Sequence, residues 1–367
     1  MKRVVGVVSF LLALVGCVTI EDRLVGALSP QDVVQATADY YVNDIQDDSC
    51  AVAYVTTNRV VYGLAGAAHE HSLFRLASLT KLFLHPIVLD FDAKGLVELD
   101  RPVTAYSKLD LPPEYGAVTL RDLLENRSGL PREFMIPGDP WDTWLFFHCG
   151  FTGSHIYTDF DTREKFEKKA WRPWWRRCLR HKREIYSNVG FGLLGMVLED
   201  ARGQSLETLL REGLVRPSGL MDTTFEPEPH YTNRLTRACA GQIPWTTGRG
   251  CDVPDNRLGS ALRATGGGFS SISDCARFFS SYWAILDANM RERSIDAYED
   301  DAVFGLLRVK ILPSGRRVLY RSGMIYGGSS FVGFDPVDRS IVIILRNVTS
   351  WPDTRGFVVL ETLQTAK

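Results

Sequence analysis

The chain is predicted to fold as an α/β protein, with a sheet domain assembled from both ends of the sequence and an all-helical insertion between them. Three observations predict it. Residues 51–65 alternate and are rich in β-branched and aromatic side chains; a long middle stretch has helical apolar spacing; and strand-like runs return after Gly266-Gly267-Gly268. Its 367 residues, 45% hydrophobic and 23% charged, suffice for a large core.

In chain order, residues 30–45 read as an N-terminal helix and 51–65 as two short strands forming a hairpin. From 73 to 91 the spacing is helical. Residues 118–124 start another helix with Thr119 as its cap, and helices dominate to about Arg216. After the triple glycine, 272–286 reads as a helix with Ser273 as a candidate cap. Strands are expected at 303–311, at 317–320 after the turn Pro313-Ser314-Gly315, and at 331–334 leading into 340–346. A last helix over 354–364 would cover the sheet. The expected division is 1–17 as an export signal, 35–75 with 268–367 as the sheet domain, and 76–267 as the helical domain.

A formal charge of −2 provides no overall basic field, so nucleic acid is not an expected partner. The N-terminus begins Met1-Lys2-Arg3, continues through an apolar run too short to span a bilayer, and ends Leu14-Val15-Gly16-Cys17. That ending resembles a bacterial lipobox, which would make Cys17 a lipidated terminus and give membrane association through lipid; a plain secretory signal and an uncleaved anchor are the alternatives. The expected location is exported, either membrane-anchored or secreted. Six further cysteines, at 50, 149, 178, 239, 251 and 275, suit either disulfides or buried thiols, and Cys239 and Cys251 are close enough in sequence to close a small loop.

The chemistry centres on Ala77-Ser78-Leu79-Thr80-Lys81. An S-x-x-K on a helix puts hydroxyl and amine on one face, and a lysine desolvated in a cleft can take the proton a serine nucleophile must lose. Such a motif arises by chance on the order of once in a chain this long, so its context decides. That context resembles the serine β-lactamase, penicillin-binding-protein and esterase superfamily, closest to the class C β-lactamase and DD-peptidase-like branch. The matching residues, in the family's order, are 76–81, then 118–131 ending Ser128-Gly129-Leu130-Pro131, Tyr186-Ser187-Asn188, 217–225, 264–277 and Arg321-Ser322-Gly323.

The resemblance implies a β-lactamase-like fold, an antiparallel sheet flanked by helices with an inserted all-helical domain. It further implies Ser78 as nucleophile, Lys81 and Tyr186 as its proton carriers, and Asn188 as holder of the substrate's acyl amide or carbonyl. Y-x-N occurs also at Tyr41 and Tyr231, which are expected at the surface. Arg321 departs from the family's usual Lys or His; an arginine stays protonated and forks onto carboxylates, so it is expected to orient a substrate carboxylate or polarised carbonyl. Ser322, Gly323 and Met324 complete this substrate-binding stretch. The backbone N–H groups of Ser78 and Met324 are the oxyanion-hole candidates.

Other motifs carry less. Gly190, Gly192 and Gly195 spell G-x-G-x-x-G without the preceding strand a dinucleotide site needs, and no cofactor is expected. The histidines do not have zinc-helix spacing, so no metal is expected either. The stretch from Trp171 to Arg183 concentrates positive charge among aromatics; it is expected as a solvated helix with tryptophans on the core, with a membrane or anionic-ligand contact as the alternative. Asn126 and Asn347 head glycosylation sequons, the first inside a family motif.

The functional expectation is a serine hydrolase of the esterase, DD-peptidase or β-lactamase type, acting on a small-molecule or peptide-like acyl substrate through an acyl-enzyme. An acyltransferase with the same residues and a non-catalytic binding or sensor protein of the same fold are the alternatives.

Overall fold

The computed structural model describes residues 19–26, 29–43, 49–134, 140, 162–181, 184–227, 231–239, 258–325, 327–350 and 353–365. Residues 1–17, expected as an export signal, and Cys149 and Cys251 lie outside them.

Strands from both chain ends meet in one antiparallel sheet. Strands β1 (Ser49–Val55) and β2 (Val60–Gly66) form the expected hairpin, and β1 pairs on its other side with β9 (Ser340–Arg346), from Cys50 opposite Arg346 to Val55 opposite Ile341. With β8 (Gly328–Asp335), β7 (Arg317–Ile325), β6 (Leu307–Ile311) and β5 (Val303–Phe304), the sheet has seven strands in the order β2-β1-β9-β8-β7-β6-β5. Residues 303–311 therefore split into two strands, because Gly305 between them takes a left-handed turn at φ 61°.

Every residue of β1, β8 and β9 is buried, so both faces of the sheet are covered along these strands. One face packs on α1 (Ile20–Leu24), α2 (Pro30–Asn43) and the C-terminal helix 353–365, through Val33, Val34, Tyr41, Val52, Tyr54, Val342, Ile344 and Leu360. Tyr41, expected at the surface, is fully buried beneath the Arg346 guanidinium, 4.0 Å from its ring centroid.

The opposite face carries the largest core cluster, which runs on into the helical part. A short strand β3 (Phe74–Arg75) precedes α3 (Thr80–Ala93), so the chain at 73–75 is extended rather than helical, pairing with β4 (Phe269–Ser270). Then come α4 (Leu120–Leu124), α5 (Arg163–Ala170), α6 (Pro173–His181), α7 (Asn188–Arg202), α8 (Leu206–Leu210), α9 (Arg263–Gly266) and α10 (Ile272–Glu292), with Asp353–Thr365 as α11. Thr119 caps α4 in a reciprocal box with Asp122, as its sequence implies. The cap of α10 is Ser271, not Ser273: its hydroxyl reaches the Asp274 N–H, while Ser273 already lies inside the helix. Phe83 of α3 stacks on Phe278 of α10 at 3.9 Å, tying the insertion to the helix that lies on the sheet.

Two expectations about composition resolve through packing. The glycines of α7 admit close neighbours: a Cβ on Gly192 would lie 2.2 Å from the Ala261 carbonyl oxygen and one on Gly195 2.5 Å from the Ala264 Cβ. Trp171, just after α5, is 43% exposed, whereas Trp175 of α6 is buried, and Arg176 and Arg180 of α6 share one carboxylate, that of Glu114.

Candidate active site

Ser78 is presented by a tight turn between β3 and α3. Residues 77–79 form a single 3-10 turn, so Ser78 sits just ahead of the helix that carries Lys81 rather than within it. Ala77 takes the left-handed conformation, φ 47°, which for a residue with a Cβ costs roughly 1–2 kcal/mol and must be held by its surroundings. Three bonds hold it: Leu76 N–H donates to the Gly268 carbonyl at 2.8 Å, Ser330 Oγ to the Leu76 carbonyl at 2.7 Å, and Gly268 N–H to Thr80 Oγ1 at 3.1 Å. Gly323 of β7 passes so close that a Cβ there would lie 2.7 Å from the Ser78 nitrogen.

The Tyr186 segment is laced to the stretch after α4. Ile185 N–H donates to the Asn126 carbonyl, Ser187 N–H to Asn126 Oδ1 at 2.9 Å, Ser187 Oγ to the Pro131 carbonyl at 2.6 Å, and Asn188 N–H to the Arg132 carbonyl at 2.8 Å. Asn126 is thereby buried with its side chain engaged, and Asn347 of the second sequon is buried as well. Ser187 also caps α7, so the start of that helix fixes both Tyr186 and Asn188.

These two frames bring five of the expected residues together. Tyr186 Oη lies 2.7 Å from Ser78 Oγ. Lys81, fully buried, directs Nζ to Ser78 Oγ at 3.4 Å, to Asn188 Oδ1 at 3.0 Å and, at very short range, to the Thr265 carbonyl. Arg321 is 9% exposed; its guanidinium lies 4.5 Å from the Tyr186 ring centroid and its Nη1 donates to the Leu306 carbonyl at 2.8 Å. Gly323 abuts the Ser78 backbone, whereas strand alternation turns Ser322 and Met324 to the other side of β7, Met324 being 37% exposed.

The electrostatics favour proton exchange. Burial pulls the Lys81 ammonium down to about 8, with Arg321 adding to the shift and Tyr186 and Glu133 opposing it. For Tyr186 burial alone would raise the phenol, but the neighbouring Lys81 and Arg321 cations outweigh it and hold the group at about 8. Ser78 itself is only partly buried, so its hydroxyl is open to a reactant.

Three further groups at the site belong to no motif expected to line it. Thr265, which fixes Lys81, sits one residue before the triple glycine. Arg132 and Glu133 directly follow Pro131: Arg132 lies 5.5 Å from the Tyr186 ring centroid, and Glu133 accepts from Asn188 Nδ2 at 3.0 Å. Their position next to the Ser128–Pro131 motif was the available signal. Among the described residues no group of His, Cys, Asp and Glu is arranged to hold a metal ion, and no helix is long and apolar enough to cross a membrane. Cys239 is disulfide-bonded, while Cys50, Cys178 and Cys275 carry thiols.

A family model described as Beta-lactamase matches residues 36–364, nearly the whole chain. The chain belongs to the Beta-lactamase family. Among curated members, it is 27% identical over 277 residues to the D-alanyl-D-alanine-carboxypeptidase/endopeptidase AmpH of Escherichia coli, an alignment covering 72% of this chain and 64% of that protein, so it spans less than two thirds of that relative's length. It is 30% identical over 172 residues to Esterase EstB of Burkholderia gladioli, covering 43% and 41% of the two chains. The solved β-lactamase/D-alanine carboxypeptidase of Yersinia pestis superposes with a TM-score of 0.69 at 18% identity, over 93% of this chain and all of that one. The β-lactamase-like fold expected from the sequence is thus the fold found, and the family is one of serine hydrolases.

Proposed function

We propose that the protein cleaves an ester or amide carbonyl through an acyl-enzyme on Ser78. The observation that carries this reading is the contact of Ser78 Oγ with Tyr186 Oη at 2.7 Å and with Lys81 Nζ at 3.4 Å. With both proton carriers near 8, passing the serine proton between them costs little at neutral pH, the condition for efficient general base and then general acid catalysis. Ser78 Oγ attacks the carbonyl carbon as Lys81, directly or through Tyr186, accepts its proton. The same proton is returned to the leaving amine or alcohol as the bond to carbon breaks. Water then attacks the acyl-serine ester by the reverse route.

The remaining roles follow from position. The N–H groups of Ser78 and Met324 would receive the developing oxyanion. Arg321 is assigned the orientation of a substrate carboxylate: its Nε and Nη2 are buried without a hydrogen-bond partner among the described residues, and a bidentate anion would satisfy both. Arg321→Ala should therefore weaken turnover of an acidic substrate far more than that of its neutral ester. Peptide-like substrates are favoured by the carboxypeptidase/endopeptidase relative and simple esters by the esterase relative. Residues 1–17 are assigned to export with Cys17 as the lipid-bearing terminus, which metabolic labelling with a radioactive fatty acid would test against Cys17→Ala.

The central experiment exposes the purified protein to a fluorophosphonate and to a panel of β-lactams and acyl esters, with intact mass followed over time beside Ser78→Ala. A Ser78-dependent adduct that decays supports the hydrolase, and the decaying member indicates the substrate class. A product in which an added alcohol or amine outcompetes water would indicate acyl transfer instead. A folded protein that forms no adduct at all would point to a binding or sensor role.

A further inference from the structure

One residue grips the chain on both sides of Tyr186. Asn126 accepts the Ile185 N–H through its backbone carbonyl at 3.0 Å and the Ser187 N–H through its side-chain Oδ1 at 2.9 Å. The second bond fixes the orientation of the carboxamide, because a backbone N–H only donates and the atom facing it must be the oxygen. Tyr186 lies between the two bonds, and its Oη meets Ser78 Oγ at 2.7 Å. Asn126 and Ser187 are both buried, so an N–H deprived of this acceptor is not simply handed to bulk water.

The backbone at 126 gives no reason for a side chain there. Helix α4 ends with Glu125 as its cap, and Asn126 follows in the left-handed conformation, φ 58°. Both closing bonds of such a helix end are present: Asn126 N–H donates to the Leu123 carbonyl at 3.3 Å, and Arg127 N–H to the Asp122 carbonyl at 2.7 Å. Glycine is the residue this position favours, with asparagine a second choice. What asparagine adds is Oδ1, and Oδ1 is spent on Ser187.

We propose that Asn126 is a positioning residue for Tyr186, keeping the phenol against the Ser78 hydroxyl through the bond from Ser187 N–H to Oδ1. This rests on the Ser78 acyl-enzyme reading. Asn126 takes no part in proton transfer and touches no reacting atom. Other bonds hold the start of α7 independently, from Ser187 Oγ to the Pro131 carbonyl and from Asn188 N–H to the Arg132 carbonyl. A variant lacking only Oδ1 therefore keeps α7 anchored and leaves Tyr186 free to drift from Ser78.

The test is a double-mutant cycle on the full chain, with Asn126→Gly, Tyr186→Phe and the two combined. Asn126→Gly suits the left-handed backbone and removes the acceptor alone. The readout is the rate constant for labelling of Ser78 by a fluorophosphonate, followed by intact mass; a rate constant does not depend on how much of the sample is folded. Asn126→Gly should slow labelling by about ten- to a hundredfold in the wild-type background, the scale of a misplaced catalytic group. In the Tyr186→Phe background it should slow labelling by less than about twofold, since the hydroxyl it positions is already gone. On a neutral ester the loss should fall on kcat rather than KM. Equal slowing in both backgrounds, no slowing in either, or an Asn126→Gly chain that does not fold overturns the positioning role. Wild-type protein that labels at Ser78 while the cycle fails discards only that role, whereas wild-type protein that does not label discards the acyl-enzyme reading as well.

Discussion

The Arg321 guanidinium lies 4.5 Å from the centroid of the Tyr186 ring and pushes both Tyr186 and Lys81 toward lower pKa. The two effects add. Removing the charge raises the phenol and the ammonium together, so the forms able to accept the Ser78 proton appear only at higher pH. Arg321→Met keeps most of the volume and removes the charge. On a neutral ester, the acidic limb of its kcat/KM profile should move upward by roughly one pH unit. A limb that stays in place would restrict Arg321 to substrate binding.

Burial of Lys81 destabilises its ammonium and so costs the fold. Its shift from 10.5 to about 8 means that the folded environment disfavours the ammonium by on the order of 3 kcal/mol. Between those values the unfolded chain holds more protons, so stability should rise as pH increases from about 8 to 10.5. Lys81→Met removes that cost while depriving the Thr265 carbonyl and Asn188 of a donor, which offsets part of the gain. The expected result is a Tm at pH 7 higher by about 3 °C together with an activity lower by about a thousandfold. Thermal melts at pH 7 and 10 with an ester assay would check both, and a Tm that falls at pH 7 would refute the balance.

The parts of this site legible in sequence are those set by local geometry. The spacing of Ser78 and Lys81 implies that hydroxyl and amine share a face, and their side chains do meet at 3.4 Å, although only the motifs around them single out this S-x-x-K; Thr119 is legible as a cap because its hydroxyl has an N–H three residues on. Tyr186 was separable from the other Y-x-N tyrosines by motif order alone. What remained hidden depends on distant partners. Tyr41 is buried because Arg346 lies across it, and Glu133 gains its meaning only when Asn188 arrives beside it. Ser271 and Ser273 both suit a cap by composition, and only the path of the chain after β4 decides between them. Ser271→Ala should accordingly cost about 1 kcal/mol and Ser273→Ala much less in urea unfolding.

His85, one turn beyond Lys81 on α3, is buried with its Nδ1 2.7 Å from Tyr282 Oη. Burial depresses the imidazole from 6.5 to about 4. The unfolded chain therefore takes up this proton first, and the stability present above pH 6.5 is lost as pH falls toward 4, by on the order of 3 kcal/mol. Replacing both partners, His85→Leu with Tyr282→Phe, removes the titrating group without stranding the hydroxyl. The slope of unfolding free energy against pH over that interval should flatten in the double variant, as read by urea titrations at several pH values. An undiminished slope would assign the acid sensitivity elsewhere.

The close contact between α7 and the segment entering α9 links packing to catalysis. A methyl on Gly192 would lie 2.2 Å from the Ala261 carbonyl oxygen, and backbone cannot move aside as a flexible side chain can. Gly192→Ala should therefore destabilise by about 1–3 kcal/mol, even though alanine favours a helix by about 1 kcal/mol. The displaced segment leads to Thr265, whose carbonyl holds Lys81, so kcat should fall as well. Gly203, the left-handed cap of the same helix at φ 62°, has no atom within 4 Å of its would-be Cβ. Gly203→Ala should cost about 1 kcal/mol of stability through backbone strain alone and leave kcat untouched. Equal kcat losses in the two variants would show that helix stability, rather than the position of Thr265, governs the site.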